Sequence, residues 1–95
     1  MPIKDEGHGP VYHFDVPTPQ GSVPLNVRMI ESSNIKWIGW PVAPQALLFI
    51  EFADGSRYVY NGVSRQRAVA LAWSESTGKY FHREIRGKYE ALKLR

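Results

Sequence analysis

Tyr58 and Tyr60 stand two residues apart in a short apolar run. The cations Lys79, Arg83, Arg86 and Lys93 follow, with Tyr80 and His82 interleaved. Aromatic residues two apart share one side of a strand, where rings can stack on unpaired bases. Lysine and arginine would meet the phosphates. This pattern points to binding of RNA or another nucleic acid, with Lys79, Arg83, Arg86 and Lys93 on phosphate. Tyr58, Tyr60, Tyr80 and His82 are the candidate base contacts. Tyr58 and Tyr60 also fit a second role, as rings packed beneath a helix with their hydroxyls at the edge. Two further chemistries compete. Trp37 and Trp40 border a proline-rich segment, and such a pair, if exposed, anchors a protein partner. His82 and Arg86, at i and i+4, could hold a small nucleotide where sheet meets helix.

Catalysis finds less support. The 95 residues contain no cysteine, which removes thiolate nucleophiles and Cys-ligated metal. His8, His13 and His82 are far apart and lack metal-ligand spacing. Ser74 and Ser76 flank Glu75, but helix capping accounts for them without an activating base. The glycines form no phosphate-cradling run. Glu51 is the one carboxylate in a strongly apolar stretch, and its expected place is partly exposed on the sheet's outer side. The expectation is a non-catalytic domain with no metal and no cofactor. No stretch nears the ~18 apolar residues of a membrane span, and residues 1–10 lack a signal-peptide core. A cytoplasmic protein with no membrane partner is expected.

Twelve Lys and Arg oppose nine Asp and Glu, for a net charge of +3. The balance is uneven. Residues 1–63 carry four cations against six carboxylates, and residues 64–95 carry eight against three. A basic end on a small domain suits anionic partners, although cations also solvate ordinary helix faces.

The elements that must position these residues follow from periodicity. Residues 1–10 read as a flexible tail. Val11–Val16 alternates as a half-buried strand, and Val23–Ile30 returns as another, with Pro24 restricting it to an edge or a strand start. Together residues 11–31 form an N-terminal hairpin that extends the sheet. Ser32-Ser33-Asn34 breaks the pattern with side chains that bond their own backbone. Ile35–Trp40 is a third strand. Ala46–Phe52 and Arg57–Tyr60 flank Ala53-Asp54-Gly55-Ser56 as a β-hairpin. A three-residue loop with Gly55 left-handed sets Ile50 opposite Tyr58 and Leu48 opposite Tyr60. That register is preferred over a two-residue turn because it gathers Leu48, Ile50, Phe52, Tyr58 and Tyr60 on one side. Ser64 then caps a helix over Arg65–Trp73, with Val69, Ala72 and Trp73 as its buried stripe. Ser76 or Thr77 caps a second helix, from about Lys79 to Leu92. Phe81, Ile85, Tyr89 and Leu92 lie on its apolar side, with the cations on another. Gly87 inside it marks a close approach or an early end. The fold class is α+β: an antiparallel sheet of three to five strands with two C-terminal helices packed on one face.

From Ser32 onward the sequence resembles the KTSC domain family, named for the C-terminus of some lysyl-tRNA synthetases and found alone in bacterial and phage proteins. The residues that carry the likeness are Ser32-Ser33-Asn34-Ile35, Ile38-Gly39-Trp40, and Leu48-x-Ile50-x-Phe52-x-x-Gly55-x-x-Tyr58-x-Tyr60. Ser76-x-Gly78-x-Tyr80-Phe81 and Ile85-Arg86-x-x-Tyr89 complete it. The resemblance implies a KTSC-like domain over residues 32–95, with about three strands followed by helices. It supplies no settled activity; RNA binding has been suggested, partly from the synthetase fusion. His82 stands where the family usually has asparagine, which exchanges an amide for a titratable ring.

Overall fold

The computed structural model describes residues 10–95. The tail expected over residues 1–10 lies, apart from Pro10, outside the described residues. Strands β1 (Tyr12–Thr18), β2 (Gly21–Met29), β3 (Ile35–Pro41), β4 (Leu47–Phe52), β5 (Arg57–Asn61) and β6 (Ala91–Lys93) form one antiparallel sheet in chain order. Helices α1 (Arg65–Ala72) and α2 (Thr77–Tyr80) lie between β5 and β6, and α2 continues into a π-helical turn, Phe81–Ile85. The α+β class and the one-sided helices are as the sequence predicts. The sheet has six strands, however, rather than three to five.

The sixth strand comes from a segment whose spacing predicts helix. The second helix does not reach Leu92. Its last turn widens, with Arg86 N–H donating to Phe81 C=O at 2.9 Å. Arg86 then turns extended, and Gly87 takes a φ of +76°. Glycine adopts that left-handed conformation without steric cost. Tyr89 packs against the core from the returning chain, and Ala91–Lys93 pairs with β5, setting Lys93 opposite Tyr58 and Ala91 opposite Tyr60. Leu92 is half exposed, opposite Val59, so it belongs to no helical stripe.

The β4–β5 hairpin has the preferred register, with Leu48 opposite Tyr60 and Ile50 opposite Tyr58. Its three-residue loop holds Gly55 at φ +91°, and Asp54 Oδ1 accepts from Ser56 N–H and Oγ–H. The alternation therefore presents Leu48, Ile50, Phe52, Tyr58 and Tyr60 to the helices. Phe81 enters this layer edge-on between Phe52 and Tyr60, with centroids 5.6 and 5.8 Å away. Ser64 caps α1 by accepting from Arg67 N–H at 3.1 Å. The buried stripe of α1 is Ala68, Leu71 and Ala72, one position round from the expected Val69, Ala72 and Trp73. Val69 and Trp73 remain half-buried at its edge.

Both faces of the sheet are apolar. A β-bulge at Ile35–Trp37 lets Ile35 face the helices together with Ile38 and Trp40, while Trp37 alternates to the other side. There Trp37 joins Val16, Leu25, Val27 and Phe49 in a second core. Glu51 lies in this second layer rather than partly exposed. Its side chain is only 4% accessible because it is enclosed by cations. Arg57 bonds Glu51 Oε1 through Nε at 3.0 Å and Nη2 at 2.7 Å, and Arg95 Nη2 and Lys36 Nζ approach to 3.4 and 3.6 Å.

Candidate functional site

The cleft between the β4–β5 hairpin and the π turn is built from rings on one wall and polar side chains on the others. Tyr58, Tyr60, Phe52 and Phe81 form the ring wall. His82 and Arg86 come from the π turn, Ser33 and Asn34 from the β2–β3 loop, and Asp54 and Ser56 from the hairpin loop. The cleft measures about 540 Å³, within the range of small-ligand sites. Strand alternation aims both tyrosines into it. Arg86 follows the π turn in an extended conformation, four residues after His82. Arg86 Nη1 and His82 Nδ1 are 3.2 Å apart.

The loops that close the cleft are internally held. Ser32 Oγ accepts from Asn34 N–H at 3.1 Å, the local bond that its sequence predicts. Ala53 N–H donates to Asn34 C=O at 2.8 Å and joins the two loops. Ser33 and Asn34 were expected only as a break between strands, although they belong to the run that carries the family likeness. Their contribution to the cleft arises from contact between loops about twenty residues apart, which no local pattern encodes.

Two ionisable groups on the walls have settled charge states. Burial pushes the Tyr60 hydroxyl up to about 12, helped by Tyr58 and opposed by the Arg86 charge. Tyr60 is thus a neutral phenol near pH 7. Asp54 is held below its usual range chiefly by the hydrogen bonds from Ser56, with Lys93 adding a favourable charge. The cleft therefore has an anionic rim at the hairpin loop and a cationic rim at Arg86.

The structure divides the eight nucleic-acid candidates. Tyr58, Tyr60, His82 and Arg86 converge on the cleft. Lys79 lines a second, larger cleft of about 830 Å³, which meets the first at His82, Ser33 and Asn34. Lys93 is on β6 rather than on a helix, opposite Tyr58 and therefore on the same face. Arg83 and Tyr80 line neither cleft. Arg83 Nε donates to Glu84 Oε2 at 3.0 Å, and its guanidinium lies 5.4 Å from the Tyr80 ring centre. Arg67 bonds the other Glu84 oxygen at 2.9 Å. The continuous basic helical stripe is thus broken by the chain reversal at Gly87. Trp37 and Trp40 are 7% and 5% exposed and lie in different cores. Three residues apart on one strand, they alternate to opposite faces, and their burial removes the exposed pair that a partner would grip.

The larger cleft also contains Arg28, whose Nη1 donates to Met29 C=O at 3.0 Å and whose guanidinium lies 5.1 Å from the Trp73 ring centre. Arg28 was missed because a lone arginine in an alternating strand carries no signal of its own. Burial lowers its pKa, partly offset by Glu31. Among the described residues, no helix is long and apolar enough to cross a membrane.

The KTSC domain family model matches residues 31–89, more than half of the chain. The chain belongs to the KTSC domain family. It is similar to the crystal structure of a KTSC domain protein from Yersinia pestis, with 28% identity and a TM-score of 0.66. That likeness covers 75% of this chain and 99% of the other. No curated protein matches the chain. Strands β1 and β2 both precede the residues matched by the family model.

Proposed function

We propose that this KTSC-family chain is a non-catalytic binding domain for single-stranded RNA or another single-stranded nucleic acid. The site would be the cleft between the β4–β5 hairpin and the π turn. The observation that carries this reading is the convergence of Tyr58, Tyr60 and His82 with Arg86 around one cleft of about 540 Å³. Tyr58, only half-buried, would offer its ring to a base. Arg86, fixed beside His82, would meet the adjoining phosphate. Asp54 at the opposite rim disfavours phosphate there, so the backbone would cross on the Arg86 side. A single nucleotide would also fit this volume. Continuity with the larger cleft at His82 favours a strand, because a second unit would enter beside Lys79. On this reading the protein works in the cytoplasm.

Titration of a fluorescent single-stranded RNA at two salt concentrations tests the reading. Binding should weaken as salt rises, because phosphate contacts release counterions. Absence of binding at low salt would overturn it. A thermal-shift screen with mononucleotides separates the alternatives: stabilisation by mononucleotides without RNA binding would assign the cleft to a free nucleotide.

A further inference from the structure

Strand β1 ends the sheet, and β2 is its only strand neighbour among the described residues. Which of its backbone groups are free follows from one proline. Pro24 is opposite Asp15, and its C=O accepts from Val42 N–H at 3.0 Å, on the side away from β1. The N and C=O of one strand residue point the same way, so Asp15 and Pro24 form a non-hydrogen-bonded pair. Asp15, and with it His13 and Pro17, therefore direct their main-chain groups outward. Phe14 and Val16 spend theirs on β2. The outer edge offers the N–H and C=O of both His13 and Asp15. At Pro17 it offers a carbonyl only.

The side chains are equally unfinished. Tyr12 and Phe14 are each 46% exposed, and their rings stack at 6.3 Å and 17°. They share a face with Val16, which belongs to the second core. His13 and Asp15 are exposed on the other face. An unpaired edge strand with exposed aromatics is a template for another strand.

We propose that β1 pairs antiparallel with β1 of a second copy of this chain, about a two-fold axis at Phe14. In this register His13 faces Asp15 of the second copy, and each pair exchanges two main-chain hydrogen bonds. Phe14 then faces Phe14 in the non-hydrogen-bonded position, where side chains approach most closely. Tyr12 faces Val16 and carries the apolar second face across the axis. Side-chain complementarity selects this register. Shifting it by two residues in one direction opposes the two Asp15 carboxylates; shifting it in the other opposes the two His13 rings. The central register alone opposes imidazole to carboxylate at both positions. Isologous pairing of this kind closes and cannot extend into a fibre. Because β1 precedes the KTSC match, the contact belongs to this chain's N-terminal hairpin rather than to the matched domain.

Two measurements on the full chain test the pairing. Analytical ultracentrifugation across a concentration series should show a monomer–dimer equilibrium. Asp15→Pro removes an outward N–H that β2 does not use, so the monomer keeps its fold by circular dichroism. The substitution should raise the dimer dissociation constant by about tenfold or more. Phe14→Cys, in a chain that lacks cysteine, should form a disulfide dimer on mild oxidation, while Gln20→Cys in the exposed turn should not. A monomer at all concentrations would overturn the proposal and leave this edge to a strand from another protein. So would a dimer unaffected by Asp15→Pro, or equal crosslinking at both cysteine positions.

Discussion

Arg86 Nη1 and His82 Nδ1 lie 3.2 Å apart across the π turn. Arginine only donates, so Nδ1 accepts, and the imidazole steers the guanidinium toward the cleft. Arg83, one residue from His82, is instead engaged by Glu84 and lies outside both clefts. Neighbouring cations in the sequence thus face different tasks. The Arg86→Ala variant should weaken single-stranded RNA binding by about tenfold at low salt and reduce the salt slope by about one. The Arg83→Ala variant should leave both unchanged. Fluorescence anisotropy at several salt concentrations measures the contrast. Equal losses in the two variants would move binding from the cleft to the outer helical surface.

Tyr60 links the cleft to alkaline stability. Burial raises its hydroxyl from 10.0 to about 12. An acid whose folded pKa is raised loses its proton first in the unfolded chain. Its contribution is complete below 10.0 and is lost as pH rises toward about 12. Urea midpoints should therefore fall across that interval. The Tyr60→Phe variant should show a shallower fall while keeping the ring packing against Phe81. An unchanged alkaline slope in that variant would count against a buried, late-ionising hydroxyl.

The hairpin register was legible in the sequence because two local signals agreed. Asp54-Gly55 supplied the turn, and only one register placed five large apolar residues on a common side. The segment after Ile85 misled because Phe81, Ile85, Tyr89 and Leu92 happen to recur at helical spacing. The deciding event there is a backbone conformation at Gly87, and glycine is compatible with either outcome. The Ile35–Trp37 bulge was hidden for a similar reason: it inserts one residue without changing composition. The cleft itself is an assembly of three loops and turns, so the tyrosines, His82 and Arg86 were visible individually but their convergence was not.

Glu51 governs the acid side of stability. Desolvation, the largest influence, pushes its carboxyl up. The Arg57 hydrogen bond and charge, joined by Arg95 and Lys36, outweigh this and hold it below 4.5. A depressed folded pKa gives stability that is present above the unfolded value and lost as pH falls through the folded one. Thermal midpoints should fall on acidification below 4.5. Removing the carboxylate charge with Glu51→Gln should flatten that acid limb. It should also cost about 1–2 kcal/mol at neutral pH, because a neutral amide oxygen replaces the carboxylate that Arg57 bonds. Thermal melts of both proteins over an acid pH series read the two effects. An acid limb of wild-type steepness in the variant would assign the titration elsewhere.

Gly39 tests the second core without touching the cleft. A Cβ at this position would stand 3.0 Å from Leu25 Cδ1, 3.3 Å from Asn26 C=O and 3.3 Å from the Trp37 ring. Leu25 is completely buried and Trp37 nearly so, leaving little room for either to withdraw. Overpacking of this kind costs about 1–3 kcal/mol. The Gly39→Ala variant should lower the urea midpoint accordingly while leaving the denaturant slope unchanged. Its RNA affinity, measured well below the melting temperature, should match the parent, since the crowded contacts lie on the opposite face from Tyr58 and Tyr60. A variant as stable as the parent would show that Leu25 and Trp37 can separate freely, and a packed core behind β3 excludes that.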